Sequence, residues 1–280
     1  MFGRCSLRTG IFLGRQLGSL FYRLAGRRRH IAEVNLRLCL PELNQQQAAG
    51  LIKSAMQNSF IALFEMAIGW TGNLDKYYAT MDVVGLESVF SCLAAGRSVI
   101  LAGCHQTTLD IGLILLGRKL GNRAHLSASY RVYPDALFNQ FMQSSRTRYL
   151  KALIGSRDTR AMIGQLRQKN TIFWIAVDQD VGGKSSVYAP FFGVNASTHN
   201  SVPRLAAITG AAVFSFASYR EKLNYRLEFK HIEQIPSGDL IADVNLQNRH
   251  VEAVIRKNPD QYLWMHRRFK TQPGHVRYYD

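Results

Sequence analysis

Apolar residues along this chain follow two patterns, and the patterns alternate. Over residues 44–70 they recur every three to four positions, at Ile52, Met56, Phe60, Leu63 and Ala67, which is the spacing of a long helix with one apolar stripe. Elsewhere they cluster in short stretches, at 98–103, 124–130, 171–177 and 211–218, each of a length suited to a strand and 171–177 the most apolar. A further strand is expected at 225–231. Between the strands, helices are expected over 86–94, 107–120, 134–146, 158–168, 200–209 and 246–257. Pro134 suits a first helical turn, Gly121 and Gly210 follow last turns, and Pro259 stops the final helix. Strands alternating with helices predict an α/β fold with a mostly parallel central sheet flanked by helices. Residues 1–70 read as a basic, helical N-terminal arm and 71–280 as the main α/β domain, the two forming one structural unit.

Composition narrows the class. The chain has 280 residues, 47% of them hydrophobic, enough for a substantial core. It carries a formal net charge of +16. Such an excess bears on partners, and it admits nucleic acid, an anionic membrane surface, or an acidic protein or substrate. Nucleic acid finds no other support, because no helix-turn-helix, RNP-like strand or zinc-finger pattern is present. The cysteines, Cys5, Cys39, Cys92 and Cys104, form no CxxC pair and have no histidine at zinc-ligand spacing, so they read as buried or incidental thiols.

The charge is concentrated at the start. The first 37 residues hold eight arginines against one acid, Glu33. Within them, the apolar stretch 11–25 is interrupted by Arg15 and Arg23 and falls short of the roughly 20 apolar residues that span a bilayer. Two readings remain for it: a basic amphipathic segment lying on a membrane, or an ordinary surface helix.

One constellation carries chemistry. The apolar run 98–103 ends at Gly103, and His105-Gln-Thr-Thr-Leu-Asp110 follows it. His105 therefore falls at the C-terminal end of a strand, where open α/β sheets hold ligands, and Asp110 falls on the first turn of the next helix. A carboxylate on one ring nitrogen would leave the other free to take a hydroxyl proton near neutral pH, as acyl transfer requires. The same residues admit a structural reading. Thr107-Thr-Leu-Asp110 fits a capping box, with Asp110 reaching back to the helix start.

Four stretches extend the picture: 27–42 (with Asn35 and Pro41), the His105 block, 177–193 (Val-Asp178-Gln-Asp180 through Pro190-Phe-Phe-Gly193), and 259–271 (Tyr262, Trp264, His266, Arg267, Arg268, Lys270). In these stretches, and in their order, the chain resembles the bacterial lipid A late acyltransferases, within the His-(X)4-Asp/Glu glycerolipid acyltransferase superfamily. The resemblance implies a glycerolipid-acyltransferase-like fold. It also implies transfer of a fatty acyl chain from acyl carrier protein, or alternatively acyl-CoA, to a hydroxyl of a lipid A precursor, without metal or cofactor. A scaffold that has lost catalysis is the non-enzymatic alternative.

On that resemblance His105 is the general base and Asp110 holds its tautomer. Arg131 stabilises the developing oxyanion or binds a phosphate. Asp178 and Asp180 orient Arg131 or contact the acceptor sugar, and a metal site there would want a third ligand. Arg267, Arg268 and Lys270 meet acceptor phosphates, or else belong to a generally basic surface; His30, His199 and His266 read as structural. Expected partners are acyl carrier protein, the lipid acceptor and the anionic cytoplasmic face of the bacterial inner membrane. Three features depart from the family. Asp110 stands where a glutamate is usual, Gln179 where a histidine is common, and the family's N-terminal span has no counterpart. The same chemistry on a glycerophospholipid, glycolipid or pigment head group is the alternative acceptor reading, and attachment is expected to be peripheral or through an anchor missing from the chain.

Overall fold

The computed structural model describes residues 6–183 and 186–280. Arg4 and Cys5, and the Lys184-Ser185 pair within the third stretch, lie outside the described residues. The chain opens with three helices, α1 (Leu7–Leu24), α2 (Gly26–Cys39) and α3 (Gln45–Thr71), then the short α4 (Asp75–Thr80). The remainder runs β1 (Asp82–Val84), α5 (Leu86–Ala94), β2 (Val99–Gly103), α6 (Leu109–Leu120), β3 (His125–Tyr130), α7 (Ala136–Arg146), β4 (Ala152–Gly155), α8 (Thr159–Leu166) and β5 (Thr171–Ala176). It ends with β6 (Ser186–Phe191), β7 (Val194–His199), α9 (Ser201–Thr209), β8 (Ala212–Glu221), β9 (Asn224–His231) and α10 (Leu240–Lys257).

The sheet order is β1-β9-β8-β2-β5-β3-β4. All neighbours pair in parallel except β8 with β9. The fold is thus α/β with a mostly parallel central sheet, as expected. Central strands β2, β5 and β8 are apolar on both faces because helices cover both. Ile100, Phe173 and Val213 pack with α2, α9 and α10 on one side. Leu101, Trp174 and Phe214 pack with α5 and α6 on the other.

Sequence signals account for the helix ends. Asn44 caps α3 in a reciprocal capping box with Gln47. Asp135, Asp158 and Asp239 cap α7, α8 and α10. The Asp239 cap starts α10 six residues before the expected 246. A two-residue turn at Phe192-Gly193, both at positive φ, closes the β6–β7 hairpin that the hydropathy pattern had not predicted.

The N-terminal arm packs in an unusual sense. Gly10, Gly14 and Gly18 face α3. A Cβ on Gly14 would lie 2.7 Å from the Ile61 backbone, and one on Gly18 2.4 Å from the Gln57 backbone. The glycines let the two helix backbones approach more closely than side chains would allow. The larger residues of α1, Phe12, Leu13, Leu17, Leu20 and Leu24, are left exposed.

Gly18→Val is therefore expected to lever α1 off α3, at a cost of about 1–3 kcal/mol, the usual range for overpacking. Gly26→Ala, at a glycine with nothing within 4 Å, is the control. Thermal unfolding and limited proteolysis within residues 7–24 would read the difference. Identical melting of the two variants would mean that the glycine contact contributes nothing.

Candidate active site

The strands carry their chemistry at one end. Parallel pairing of β2 with β5 sets Gly103 beside Ala176, so the segments leaving both strands run side by side. His105 follows one strand and Asp178 the other. Asp178 is 2% exposed, and its Oδ1 lies 2.8 Å from His105 Nδ1, while its Oδ2 accepts the His105 backbone amide at 3.1 Å. Two bonds from one buried carboxylate fix both the backbone and the ring. A carboxylate in this position accepts, so Nδ1 carries the proton and Nε2 is left with its lone pair.

Electrostatics follow from this pairing. Burial works against the imidazolium, but the Asp178 charge and hydrogen bond outweigh it, and the His105 pKa is raised above its ordinary value. Burial likewise opposes the Asp178 carboxylate; the facing His105 and its two hydrogen bonds prevail and lower the Asp178 pKa. The imidazole itself is 31% exposed and faces a cavity of about 1790 Å³. Cys104, next in the chain, is buried, and burial pushes its thiol far up, which leaves it unsuited to act as a nucleophile.

The structure corrects the expected partner of His105. Asp110 accepts hydrogen bonds from Trp70 Nε1 at 3.0 Å and from the Arg146 guanidinium, with which it forms an ion pair. It lines the same cavity as His105 but joins α6 to α3 and α7. The capping reading is not met either. The helix starts at Leu109, and its N-cap, Thr108, makes no side-chain cap bond. Thr108 instead donates its hydroxyl to Ser218 O, 2.6 Å away on β8.

The C-terminal stretch closes over the histidine. Leu263 N donates to His105 O at 3.2 Å, and Thr107 N donates to Gln261 O at 2.8 Å, so Gln106 and Tyr262 form a one-residue antiparallel bridge. Asn35 of α2, 2% exposed, holds that stretch in turn, donating to Trp264 O at 2.6 Å and His266 O at 2.7 Å. Asp180 accepts the Thr271 amide at 2.6 Å. The four stretches singled out from the sequence thus meet around one turn.

The other expected site residues fall in different places. Arg131 and Lys270 are exposed on the cavity wall, and Asp180 lines it too. Asp178 is turned to His105 and not toward Arg131. Arg268 is 3% exposed, donates to Ser197 O and Thr198 Oγ1, and sits over the Phe191 ring. It is a buried clamp on the β6–β7 hairpin, too enclosed to meet a phosphate. Arg267 lies over the Tyr279 ring and is not among the cavity residues. Sequence reasoning missed Trp70 and Arg146, which hold Asp110. It also missed Arg157 and Arg204, two further exposed arginines on the cavity wall. A lone basic residue in a loop or on a helix face leaves no signature without the sheet to place it.

The chain matches the family model for bacterial lipid A biosynthesis acyltransferases over residues 7–271. It is 32% identical over 266 residues to the lipid A biosynthesis palmitoleoyltransferase of Escherichia coli, an alignment covering 94% of this chain and 85% of the relative. The lauroyltransferase of the same organism is 31% identical over 268 residues, covering 94% and 86%. The myristoyltransferase is 25% identical over 271 residues, covering 94% and 82%.

If Asp178 sets the His105 tautomer and charge, activity needs neutral Nε2, and kcat/KM should fall on the acid side with an apparent pKa above the ordinary histidine value of about 6.5. Asp178→Asn should move that limb to lower pH, because only the burial effect would remain. It should also cut turnover by about 10²–10⁴. Asp110→Asn should cost less activity and more thermal stability, since it deprives Arg146 of its ion-pair partner. An unmoved acid limb in Asp178→Asn, or equal losses in the two variants, would contradict this division of roles.

Proposed function

Because the chain belongs to the bacterial lipid A biosynthesis acyltransferase family, we propose that it moves a fatty acyl chain from acyl carrier protein to a hydroxyl of a lipid A precursor at the inner membrane. The observation that carries this reading is the His105–Asp178 pair, with Nε2 open to a large cavity of mixed character. Leu109, Leu113, Leu150, Leu153 and Leu205 give the cavity an apolar wall suited to an acyl chain. Arg131, Arg157, Arg204 and Lys270 give it a basic wall suited to a phosphorylated sugar.

In this mechanism Nε2 of His105 removes the proton of the acceptor hydroxyl as its oxygen attacks the thioester carbonyl. The ester C–O bond forms, the C–S bond breaks, and the departing thiolate takes the proton from the imidazolium. Asp178 stabilises the imidazolium between the two transfers. Asp110 acts at one remove, holding Arg146 in the cavity wall and accepting a hydrogen bond from Trp70. Arg131 is suited to an acceptor phosphate, because it is exposed on that wall.

Attachment to the membrane is proposed to be peripheral. Among the described residues, no helix is long and apolar enough to cross a membrane. The apolar residues that α1 leaves exposed alternate with Arg8, Arg15 and Arg23, so one surface offers both an apolar face and positive charge. A second group of exposed apolar residues, Val132, Tyr133, Leu137, Phe138 and Phe141, lies on and just before α7. Val132 and Tyr133 also line the cavity, which would open its mouth toward the lipid.

Purified protein should transfer a lauroyl chain from acyl carrier protein to a phosphorylated glucosamine disaccharide bearing 3-hydroxyacyl chains, and His105→Ala should lower that turnover by about 10²–10⁴. Mass spectrometry of the product locates the new ester. Transfer to a glycerophospholipid in place of the disaccharide would overturn the acceptor assignment.

Flotation should show binding to anionic vesicles that weakens with salt, each basic residue near the surface contributing about 1 kcal/mol. Equal, salt-independent binding to neutral vesicles would contradict electrostatic attachment.

A further inference from the structure

The chain contains three tryptophans, and two of their indole N–H groups are engaged: Trp70 with Asp110 Oδ1 at 3.0 Å, and Trp264 with Pro259 O at 2.7 Å. Trp174 differs. It is 4% exposed, and among the described residues its Nε1 has no hydrogen-bond partner. Buried polar groups in folded proteins are nearly always paired, and an orphaned donor is destabilising. In the free enzyme this Nε1 is enclosed, so a ligand in the adjoining cavity reaches it by a small displacement of the atoms that cover it.

Its position gives it a chemical task. Trp174 stands on β5 between Leu101 of β2 and Ala128 of β3, on the face covered by α6, and it lines the same cavity as His105. The indole extends toward the end of β2. A Cβ on Gly103 would lie 2.4 Å from Nε1, so the indole occupies space that only a glycine at this position leaves open. Gly103 is two residues before His105. The orphan donor therefore sits beside the turn that carries the base, where apolar residues of α6, Leu109 and Leu113, also reach the cavity.

We propose that the indole N–H of Trp174 donates a hydrogen bond to the carbonyl oxygen of the acyl thioester and to the oxyanion that forms there. As the acceptor oxygen bonds to the carbonyl carbon, the carbonyl π-electrons move onto this oxygen. They return when the C–S bond breaks, and the thiolate leaves with the proton carried by His105. Once the thioester is seated, a donor held by the sheet stabilises that charge with little further movement, which an exposed guanidinium such as Arg131 does less well. The orphan in the free enzyme is thereby satisfied in the complex. The inference rests on the acyl-transfer reading above.

Trp174→Phe keeps the aromatic bulk and removes only the donor. With lauroyl-acyl carrier protein as donor, kcat is expected to fall by about 10²–10³, the usual effect of losing one oxyanion donor. KM and melting temperature should stay close to those of the unmodified enzyme, which separates this role from one in packing. A kcat retained within about threefold, or a change confined to KM or to chain-length preference, would overturn the proposal. If His105→Ala is still inactive in that case, the acyl-transfer reading survives it. Should the phenylalanine variant not fold, the His105→Ala enzyme provides the second test. With 15N-labelled indoles, saturating lauroyl-acyl carrier protein should shift the Trp174 Nε1–H resonance downfield and leave those of Trp70 and Trp264 in place. An unshifted Trp174 resonance in the donor-bound enzyme would equally refute it.

Discussion

The whole site depends on one hydrogen-bonded pair, His105 and Asp178, formed across neighbouring parallel strands. Asp178 takes both the ring and the backbone amide of His105, and it can do so only because β2 and β5 run in the same direction and end level with each other. The sheet supplies the alignment, burial supplies the low dielectric, and together they give the imidazole a defined tautomer. Everything around it keeps that pair in register. Thr108 and Gln106 bond to Ser218 on β8, and the Gln261–Leu263 segment bonds to the backbone on either side of Gln106.

A second buried network steadies the same region from the arm. Arg220 of β8 pairs with Glu65 of α3 and bonds to Asn58, which reaches Asp260, while Tyr225 donates to Glu65 at 2.9 Å. Removing one member would strand a buried charge, so α3 belongs to the site's support as much as the sheet does. Helix α3 therefore has two faces with different duties: one is polar and locked to the segment that braces His105, the other closes on the glycines of α1.

Much of this was legible in the sequence, for reasons specific to each element. Strands β2, β5 and β8 announced themselves because both faces are buried. The three-residue β1, the short β4 and the half-exposed β6–β7 hairpin lack such a signal. His105 was legible as a residue at a strand end, but its partner was not. A five-residue interval favours Asp110, whereas Asp178 lies 73 positions away. What could have found it was the strand rule itself. Both residues follow the ends of apolar runs, and adjacent parallel strands bring such positions together. Arg268 shows the opposite failure, since a basic run gives no sign of which of its members turns inward.

The closure of the C-terminal stretch onto the start of the chain has a consequence for biosynthesis. Asn35 grips carbonyls 229 and 231 residues further on, and the loop it grips is the one that bonds to His105. A nascent chain emerging from the ribosome can build most of the sheet before that loop exists. It cannot brace the His105 turn until residues 261–266 have been made. A chain made only as far as α10 would hold His105 without the segment that braces its backbone.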